Sequence, residues 1–403
     1  MLLSGLISFG KVGLYASLLT PVDLGAYSLC LLLSTYGVYI CNLGLYEGAL
    51  GTFPTWYGKK LNQKVESTRN QIIGFSILSG LFLCLISGIL SLFTEVRDSQ
   101  EISIFLVCLF SVSTSLFVIF LADIRSRLMT LKFGIFMFSR AMLSLSIGVL
   151  IAEKYGYVGI LWSEIFITFL LTAILVYTEI TNFTFVFPDF ISLKPVFRIG
   201  FPLMLNGAVT STASNIDRFF VIAVLGSDMF GQYSFAMILA SGGSMVQSIL
   251  YQQIGPEILH SLGEGHSPKR ILSKLNKLIF CLLVLAVTCA YPLLRFIQIL
   301  ATQYFSEYEQ AILILPIVYI GAMFTALSLY ENLTVAVERT EYILALNSSI
   351  ILAVLLLSYF AFQYYPSTLT FAVIYSFGRF LYFMATLFMA SWAVKQLSSS
   401  RRL

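Results

Sequence analysis

The chain has 403 residues, of which 58% are hydrophobic and only 11% are charged, and its formal net charge is +4. Soluble domains carry roughly 25% charged residues, so this composition excludes an ordinary water-soluble protein and predicts an all-α polytopic membrane protein. The positive charge is too small to indicate nucleic-acid binding, and we expect no nucleic-acid partner.

Twelve apolar stretches are each long enough to cross a bilayer, since a spanning helix needs about 20 mostly apolar residues. They lie near 2–20, 26–50, 71–93, 102–124, 134–152, 158–178, 200–225, 232–254, 275–300, 312–334, 343–362 and 369–394. The connectors are short, and none is long enough to fold separately. We therefore predict two six-helix bundles, an N-terminal one over 1–190 and a C-terminal one over 191–403.

The basic residues predict how the chain crosses the membrane. Seventeen of the 24 Lys and Arg residues lie in alternate connectors and the C-terminal tail, whereas the opposite connectors hold only Arg97 and Lys154. By the positive-inside rule, both termini are expected on the cytoplasmic side. The first stretch lacks a basic leader and a small-residue cleavage site, so we predict a retained span.

The two halves share a short repeated segment. Leu19–Ser28 aligns with Leu225–Ser234 through a Gly-x-Tyr-Ser turn, and the offset is 206 residues. Each copy links the first and second spans of its half. Six spans per half give the halves the same orientation, which is the parallel-repeat plan of many secondary transporters.

Seven ionisable residues fall deep inside predicted spans. Each costs at least ~2.5–3.5 kcal/mol on insertion scales, so such residues usually face a bundle interior or a watery cavity. They are Lys11, Glu47, Arg140, Glu164, Asp217, Arg218 and Arg379. Three further charges, Asp123, Arg295 and Glu331, lie nearer span ends, where snorkelling is a sufficient explanation.

Helical spacing groups several polar residues on common faces. Asn206, Thr210, Ser214 and Arg218 recur at steps of four in the seventh span, and Asn215 widens that stripe. Cations outnumber acids among the deep charges, which favours an anionic substrate, and Arg suits bidentate contact with phosphate. The predicted substrate-binding residues are Lys11, Arg140, Arg218, Arg379, Tyr375, Asn206 and Asn215.

The deep acids are candidates for ion coupling. Asp217, Glu47 and Glu164 could couple transport to H⁺ or Na⁺, and we expect no other cofactor. Asp217 corresponds to Lys11 under the repeat offset, so we predict that these two opposite charges pair. The six cysteines, His260 and His266 have no metal-ligand spacing, and no complete Walker-type Gly-x-x-x-x-Gly-Lys-Ser/Thr run is present. We therefore predict no metal site, no catalytic residues and no enzyme activity.

Several local motifs occur in an order typical of one exporter superfamily. They are Phe197–Leu203 with its Gly-Phe-Pro, Asn215–Phe220 with its Asp-Arg, the Gly-x-Tyr-Ser turn at Gly231–Ser234, and Gly255-Pro256. With these motifs the chain resembles the Wzx-type O-antigen and polysaccharide repeat-unit flippases of the polysaccharide transporter family. This family belongs to the multidrug/oligosaccharidyl-lipid/polysaccharide (MOP, MATE-like) exporter superfamily.

The resemblance implies a V-shaped pair of bundles around a cationic cavity, with the Asp-Arg pair carried by Asp217 and Arg218. It implies a flippase that moves undecaprenyl-pyrophosphate-linked oligosaccharide across the bacterial inner membrane by alternating access. Membrane lipid and the polymerase and chain-length proteins of the same pathway are further implied partners. The alternatives are a multidrug exporter of the same fold, a peptidoglycan-precursor flippase, and a membrane glycan polymerase or glycosyltransferase.

Overall fold

The computed structural model describes residues 2–93, 104–179, 184–240, 258, 267–330 and 340–400. Within these ranges the regular elements are helices, so the predicted all-α class is confirmed. In chain order they are α1 (Leu2–Leu18), α2 (Pro21–Asn42), α3 (Leu45–Gly58), α4 (Asn62–Phe93), α5 (Ile104–Ser126), α6 (Thr130–Glu179), α7 (Phe190–Ala240), α8 (Pro268–Tyr304), a short 3-10 turn (Ser306–Tyr308), α9 (Glu309–Leu327), α10 (Thr340–Tyr364) and α11 (Thr368–Ser400).

The described helices are those of a multi-pass membrane protein. Nine helices in these ranges are long and apolar enough to cross a membrane. Large apolar side chains such as Phe82 and Leu85 on α4, and Phe280 and Leu285 on α8, are exposed, as a lipid-facing surface requires. The count of twelve spans stays a prediction. Most of the predicted span 232–254, and the end of the span 312–334, lie outside the described residues.

Two long helices are each interrupted by a glycine in a left-handed backbone conformation. Gly156 in α6 has φ 56° and Gly226 in α7 has φ 82°. L-residues with a side chain rarely adopt such angles, whereas glycine does so readily. Each break falls between two predicted spans, so α6 contains two consecutive apolar stretches, and α7 contains one stretch and the start of the next.

The predicted single span 26–50 is instead two helices, α2 and α3. The chain breaks at Leu43 and Gly44, whose φ values are 44° and 84°. A Cβ on Gly44 would overlap the backbone of Gly200 in α7, and a Cβ on Gly48 would overlap the carbonyl of Val196. The break therefore accompanies a close crossing of α3 and α7 that local sequence does not encode.

The chain divides into two compact units. Unit 1 comprises Met1–Leu19 and Ala26–Ala208, and unit 2 comprises Thr20–Gly25 and Val209–Leu403. These limits differ from the predicted bundles, because α7 remains with unit 1 as far as Ala208. Unit 1 has a core formed by α3 to α7, which includes Phe53, Val65, Ile72, Phe117, Phe120, Ile167 and Val196. The core of unit 2 includes Ile271, Leu275, Ile279, Leu327, Tyr330 and Ala390.

Candidate functional site

A polar cavity of about 360 Å³ lies within unit 2. Five of the residues predicted from the sequence line it, namely Asn215, Asp217, Arg218, Tyr375 and Arg379. They come from α7 and α11, whose polar stripes face the same space. The rest of the wall consists of Thr210, Ala213, Ser214, Met237, Ala322, Thr325, Asn347, Ile350, Val354, Gly378 and Tyr382.

Asp217 is buried and its carboxylate is held by a tyrosine. The Tyr233 hydroxyl donates to Asp217 Oδ2 over 2.5 Å, and Tyr233 is itself fully buried. Tyr233 follows the Gly226 break in α7, so this bond ties the two parts of the helix together. Asp217 and Arg218 are neighbours in sequence, and their side chains point about 100° apart on a helix. Because Arg218 cannot easily bind the Asp217 carboxylate in this arrangement, Tyr233 acts as a hydrogen-bond partner of Asp217.

Arg379 is fixed on α11 beside an aromatic ring. Its Nη2 donates to the carbonyl oxygen of Ser214 over 3.2 Å, and its guanidinium lies 5.3 Å from the centroid of the Tyr375 ring. A glycine, Gly321, allows the Tyr375 ring to approach α9 closely. The Ser214 hydrogen bond and the Tyr375 ring contact position the guanidinium, and the N–H groups of an arginine that such contacts leave unused can serve a ligand.

Arg218 contributes a second guanidinium to the same wall. Its Nε is buried and has no hydrogen-bond partner among the residues that the structure describes. A buried charged donor without an acceptor is costly, so an anion in the cavity would improve its environment. Arg218 and Arg379 are opposed by the single acid Asp217 in the lining, which leaves the wall with a net positive charge.

Neutral polar groups complete the cavity, and some of them were not predicted. Asn347 on α10 donates through Nδ2 to Thr210 Oγ1 over 2.9 Å, and Asn215 donates to the Ser211 carbonyl over 2.8 Å. Asn347 is almost fully buried. An amide inside an apolar span is the signal that could have identified it, although its position relative to α7 depends on tertiary packing.

A second cluster of deep charges lies in unit 1. Lys11 on α1 forms an ion pair with Glu164 on α6 and also donates to Ser144 Oγ over 3.0 Å. The Ser144 hydroxyl donates to Glu164 Oε1 over 2.5 Å. Tyr15 donates to the Ser144 carbonyl over 2.7 Å. Lys11 was predicted to bind substrate and Glu164 to couple transport to an ion, and the structure shows that the two side chains contact each other directly.

The repeated tyrosines hold a carboxylate in each unit. In unit 1 the Tyr27 hydroxyl donates to Glu164 Oε1 over 3.4 Å, and in unit 2 the hydroxyl of its counterpart Tyr233 donates to Asp217 Oδ2. Lys11 and Asp217, predicted to pair with each other, thus each have a partner within their own unit. Their mutual pairing stays a prediction.

The remaining predicted site residues, Arg140, Glu47 and Asn206, belong to unit 1. Arg140 donates to Thr114 Oγ1 over 3.3 Å and its guanidinium lies 5.2 Å from the Phe117 ring centroid. Glu47 and Asn206 each have one buried oxygen that finds no hydrogen-bond partner in the described ranges. Their assignment to substrate binding or coupling stays a prediction.

Asp123 corrects an expectation from the sequence. It does not snorkel, because it is 1% exposed and forms ion pairs with two arginines. Arg69 Nη1 lies 3.0 Å and Arg127 Nη2 lies 2.6 Å from Asp123 Oδ2. The four-residue spacing of Asp123 and Arg127 was a local signal of this pair, whereas Arg69 on α4 could not be placed from its sequence position.

Solved structures with the same fold are transporters of the MOP superfamily. An inward-facing multidrug resistance MATE family transporter of that superfamily superposes with a TM-score of 0.73 at 14% identity, over 98% of this chain and 95% of the other. The lipid II flippase MurJ in an inward closed conformation gives a TM-score of 0.72 at 16% identity, over 98% and 88%. A MOP superfamily transporter from Pyrococcus furiosus, described as having a binding pocket of reverse polarity, gives 0.60 at 13% identity, over 99% and 93%.

The sequence itself carries a family signature over more than half its length. No curated protein matches the chain. A family profile described as "Polysaccharide biosynthesis protein" matches residues 14–258, a range that holds the Asp-Arg pair and both copies of the Gly-x-Tyr-Ser turn. The resemblance stated from the motifs is confirmed, and the chain belongs to this polysaccharide biosynthesis protein family, with the fold of the MOP exporters.

Proposed function

We propose that this protein is a flippase for a polyprenyl-pyrophosphate-linked oligosaccharide, with undecaprenyl pyrophosphate as the carrier. It would move the repeat unit of an O-antigen or another surface polysaccharide across the bacterial inner membrane. The observation that carries the proposal is the cavity of unit 2, where Arg218 and Arg379 face one space beside Tyr375. Membership of a polysaccharide biosynthesis family supports the glycan part.

The chemistry of the cavity suits a pyrophosphate with sugar attached. Guanidinium groups bind phosphate oxygens through paired, charge-assisted hydrogen bonds. The amides of Asn215 and Asn347 offer donors and acceptors to sugar hydroxyls. Tyr375 and Tyr382 add aromatic surface next to those groups. Two cations against one acid disfavour the cationic cargo expected of a drug exporter.

The size of the cavity limits what it holds. Pockets for small ligands measure about 300–1,000 Å³, and the cavity of about 360 Å³ is at the low end of that range. It is therefore suited to the pyrophosphate and the adjoining sugar, while the remaining glycan and the polyprenyl chain lie outside it. Transport by alternating access then requires that the cargo bind the two states with different affinity.

Ion coupling is part of the proposal for unit 1. Glu164 accepts hydrogen bonds from Ser144 and Lys11, so protonation of its carboxylate would remove the ion pair and reorganise the cluster. H⁺ is our preferred coupling ion, because the carboxylate already has a cationic partner. Polymerase and chain-length proteins are the proposed downstream partners, since they would take up the flipped unit.

The test follows the lipid-linked repeat unit in cells that lack the gene. We expect the completed unit to accumulate on the cytoplasmic side and surface polymer to disappear. Wild-type protein should restore polymer, whereas Arg218→Ala should not. Arg295→Ala is the matched control, because Arg295 is an exposed arginine on α8 that does not line the cavity.

One outcome would reject this function, and another would reject the cargo site. If the unit reaches the periplasm of the deletion strain without being polymerised, the protein acts at the polymerisation step. If Arg218→Ala and Arg295→Ala restore polymer equally at equal protein levels, the cavity of unit 2 is not the cargo site.

A further inference from the structure

A second cavity, of about 560 Å³, lies within unit 1 at the end that carries the basic connectors. It is bounded by the end of α3, the start of α4 and the turn after α5. Its wall consists of Pro54, Tyr57, Gly58, Asn62, Glu66, Arg69, Ser126, Arg127, Leu128 and Met129. None of these residues belongs to the proposed cargo cavity, and the proposed function assigns them no role.

Arg69 brings a buried guanidinium to the wall of this cavity. Its side chain is 1% exposed, and its Nη1 and Nη2 donate to Asp123 Oδ2 over 3.0 Å and to Asn70 Oδ1 over 3.4 Å. Its Nε is buried and lacks an acceptor among the described residues. A charged donor left unsatisfied in this way costs free energy, and an anion in the cavity that Arg69 lines would stabilise the guanidinium charge.

Arg127 places a second positive charge in the same wall. It shares the Asp123 carboxylate with Arg69, and its Nε donates to the Tyr57 hydroxyl over 3.0 Å. Tyr57 in turn donates to Asp123 Oδ1 over 2.5 Å. The two guanidinium groups share the Asp123 carboxylate, so these three side chains together carry a net charge of +1, and Glu66 in the cavity wall is the acid that stands against it.

The start of α4 adds to the attraction for an anion. Asn62 is the first residue of this 32-residue helix and lines the cavity. The first N–H groups of a helix have no partner within it, and the helix dipole makes this end positive. Glu66 is the single acid in the lining, and the exposed Lys59, Lys60 and Lys64 lie nearby in sequence.

Apolar and aromatic side chains flank these charges. Leu128, in the cavity wall, is 82% exposed, and Leu131, at the start of α6, is 77% exposed. Lys64 Nζ lies 4.4 Å from the Trp56 ring centroid. Tryptophan, tyrosine and basic residues together are typical of a membrane interface, where basic pockets bind anionic headgroups. The exposed leucines would contact the chain attached to such a headgroup.

We propose that the cavity of unit 1 binds the phosphate group of an anionic lipid at the membrane interface. The phosphate would lie between the start of α4 and the guanidinium groups of Arg69 and Arg127, and the lipid chain would lie against Leu128. The phosphate could belong to a phospholipid headgroup or to a polyprenyl carrier. This site would exist whether or not the cavity of unit 2 carries a glycan.

The test measures binding to the purified full chain in detergent, by native mass spectrometry and thermal shift. The ligands are dioctanoyl phosphatidylglycerol, farnesyl phosphate, inorganic phosphate, and dioctanoylglycerol as the lipid without phosphate. We expect at least one of the two lipid phosphates to bind about tenfold more tightly than both dioctanoylglycerol and inorganic phosphate. Preference for phosphatidylglycerol would identify a phospholipid site, and preference for farnesyl phosphate would identify a carrier site.

Two nearly isosteric variants should shift this affinity in opposite directions. Asn62→Asp adds a negative charge to the lining, where an Asp at a helix start is well tolerated, and should weaken lipid phosphate binding about tenfold. Glu66→Gln removes the single acid of the lining and should strengthen binding. Gln63→Glu adds the same charge as Asn62→Asp at an exposed neighbour that does not line the cavity, and should change affinity less than about twofold.

Three results would overturn the proposal. Equal binding of dioctanoylglycerol would show that phosphate is not recognised, and equally tight binding of inorganic phosphate would exclude a lipid ligand. Binding that is unchanged by Asn62→Asp and Glu66→Gln but is abolished by Arg218→Ala would place the lipid in unit 2. Because the readout is binding to purified protein, a negative result leaves the polymer-rescue test of the flippase function intact.

Discussion

Gly25 and Gly231 occupy reciprocal positions in unit 2, each packed against a main-chain carbonyl of the other's segment. A Cβ on Gly25 would overlap the carbonyl oxygen of Ser227, and a Cβ on Gly231 would overlap the carbonyl oxygen of Pro21. Pro21 and Ser227 are themselves separated by the repeat offset of 206 residues. Reciprocal contacts of this kind are the signature of a two-fold relation, so the two copies of the repeated turn meet here as pseudo-symmetric partners.

Alanine at either glycine should therefore be poorly tolerated. Gly25→Ala and Gly231→Ala each place a methyl group against backbone that cannot rotate away, and overpacking of this kind typically costs about 1–3 kcal/mol. We expect a lower unfolding temperature in detergent for each variant. Gly134→Ala in α6 is the control, because its Cβ would meet no heavy atom of the described chain within 4 Å. Unfolding temperatures that match across the three variants would argue against a tight contact.

The two repeated tyrosines should differ in importance, although they occupy equivalent positions. Tyr233→Phe removes the hydroxyl that donates to Oδ2 of the buried Asp217 carboxylate in unit 2. Tyr27→Phe leaves Glu164 with Lys11 and Ser144. Since an unsatisfied buried acceptor costs about 1–3 kcal/mol, we expect Tyr233→Phe to lower the unfolding temperature clearly and Tyr27→Phe to lower it little.

Thermal unfolding of the two variants, measured in one detergent, checks this asymmetry. Tyr291→Phe serves as the control for loss of a phenol, since Tyr291 is exposed on α8. A larger loss of stability for Tyr27→Phe than for Tyr233→Phe would contradict the hydrogen-bond assignments.

Lys11 and Glu164 should behave as a coupled pair. Removing one member of a buried ion pair leaves an uncompensated charge and costs about 3–5 kcal/mol, whereas replacing both members is often nearly neutral. We expect Lys11→Met and Glu164→Gln each to be destabilising. The loss should be nearer the lower end of that range, because the Lys11 side chain is 13% exposed and solvent screens the pair. The double variant should recover much of the loss. A double-mutant cycle on thermal unfolding measures the coupling, and additive losses would refute the pair.

The sequence predicted those parts of the site that depend on local helix geometry. Ser214 and Arg218 share a stripe because they are four residues apart, and Tyr375 lies beside Arg379 for the same reason. The excess of cations over acids among the deep charges also indicated that the polar stripes bearing arginine bind substrate. All four of these residues line the cavity of unit 2.

Features that depend on packing between distant helices were not predictable in the same way. The pairing of Lys11 with Glu164 joins α1 to α6, and the break at Gly44 depends on its contact with Gly200. Arg69 looks like a connector residue in the sequence but is buried against Asp123. Charge and spacing locate such residues on their own helices, but only the tertiary structure determines their partners.

Arg379 offers the sharpest test of how the cavity of unit 2 recognises its cargo. Arg379→Lys keeps a positive charge but loses the planar fork that binds phosphate in a bidentate manner, while Arg379→Gln loses the charge as well. Hydrogen bonds to charged groups contribute about 1.5–3 kcal/mol, so we expect transport to fall about tenfold for Arg379→Lys and about a hundredfold for Arg379→Gln.

Polymer recovery in the deletion strain, normalised to protein level in the membrane, gives the measurement. Arg295→Lys and Arg295→Gln are matched controls on an exposed helix position. If Arg379→Gln restores as much polymer as the wild type, Arg379 does not bind the cargo. Equal, strong losses for Arg379→Lys and Arg379→Gln would instead assign its role to the geometry of the guanidinium, because charge alone would then give no rescue.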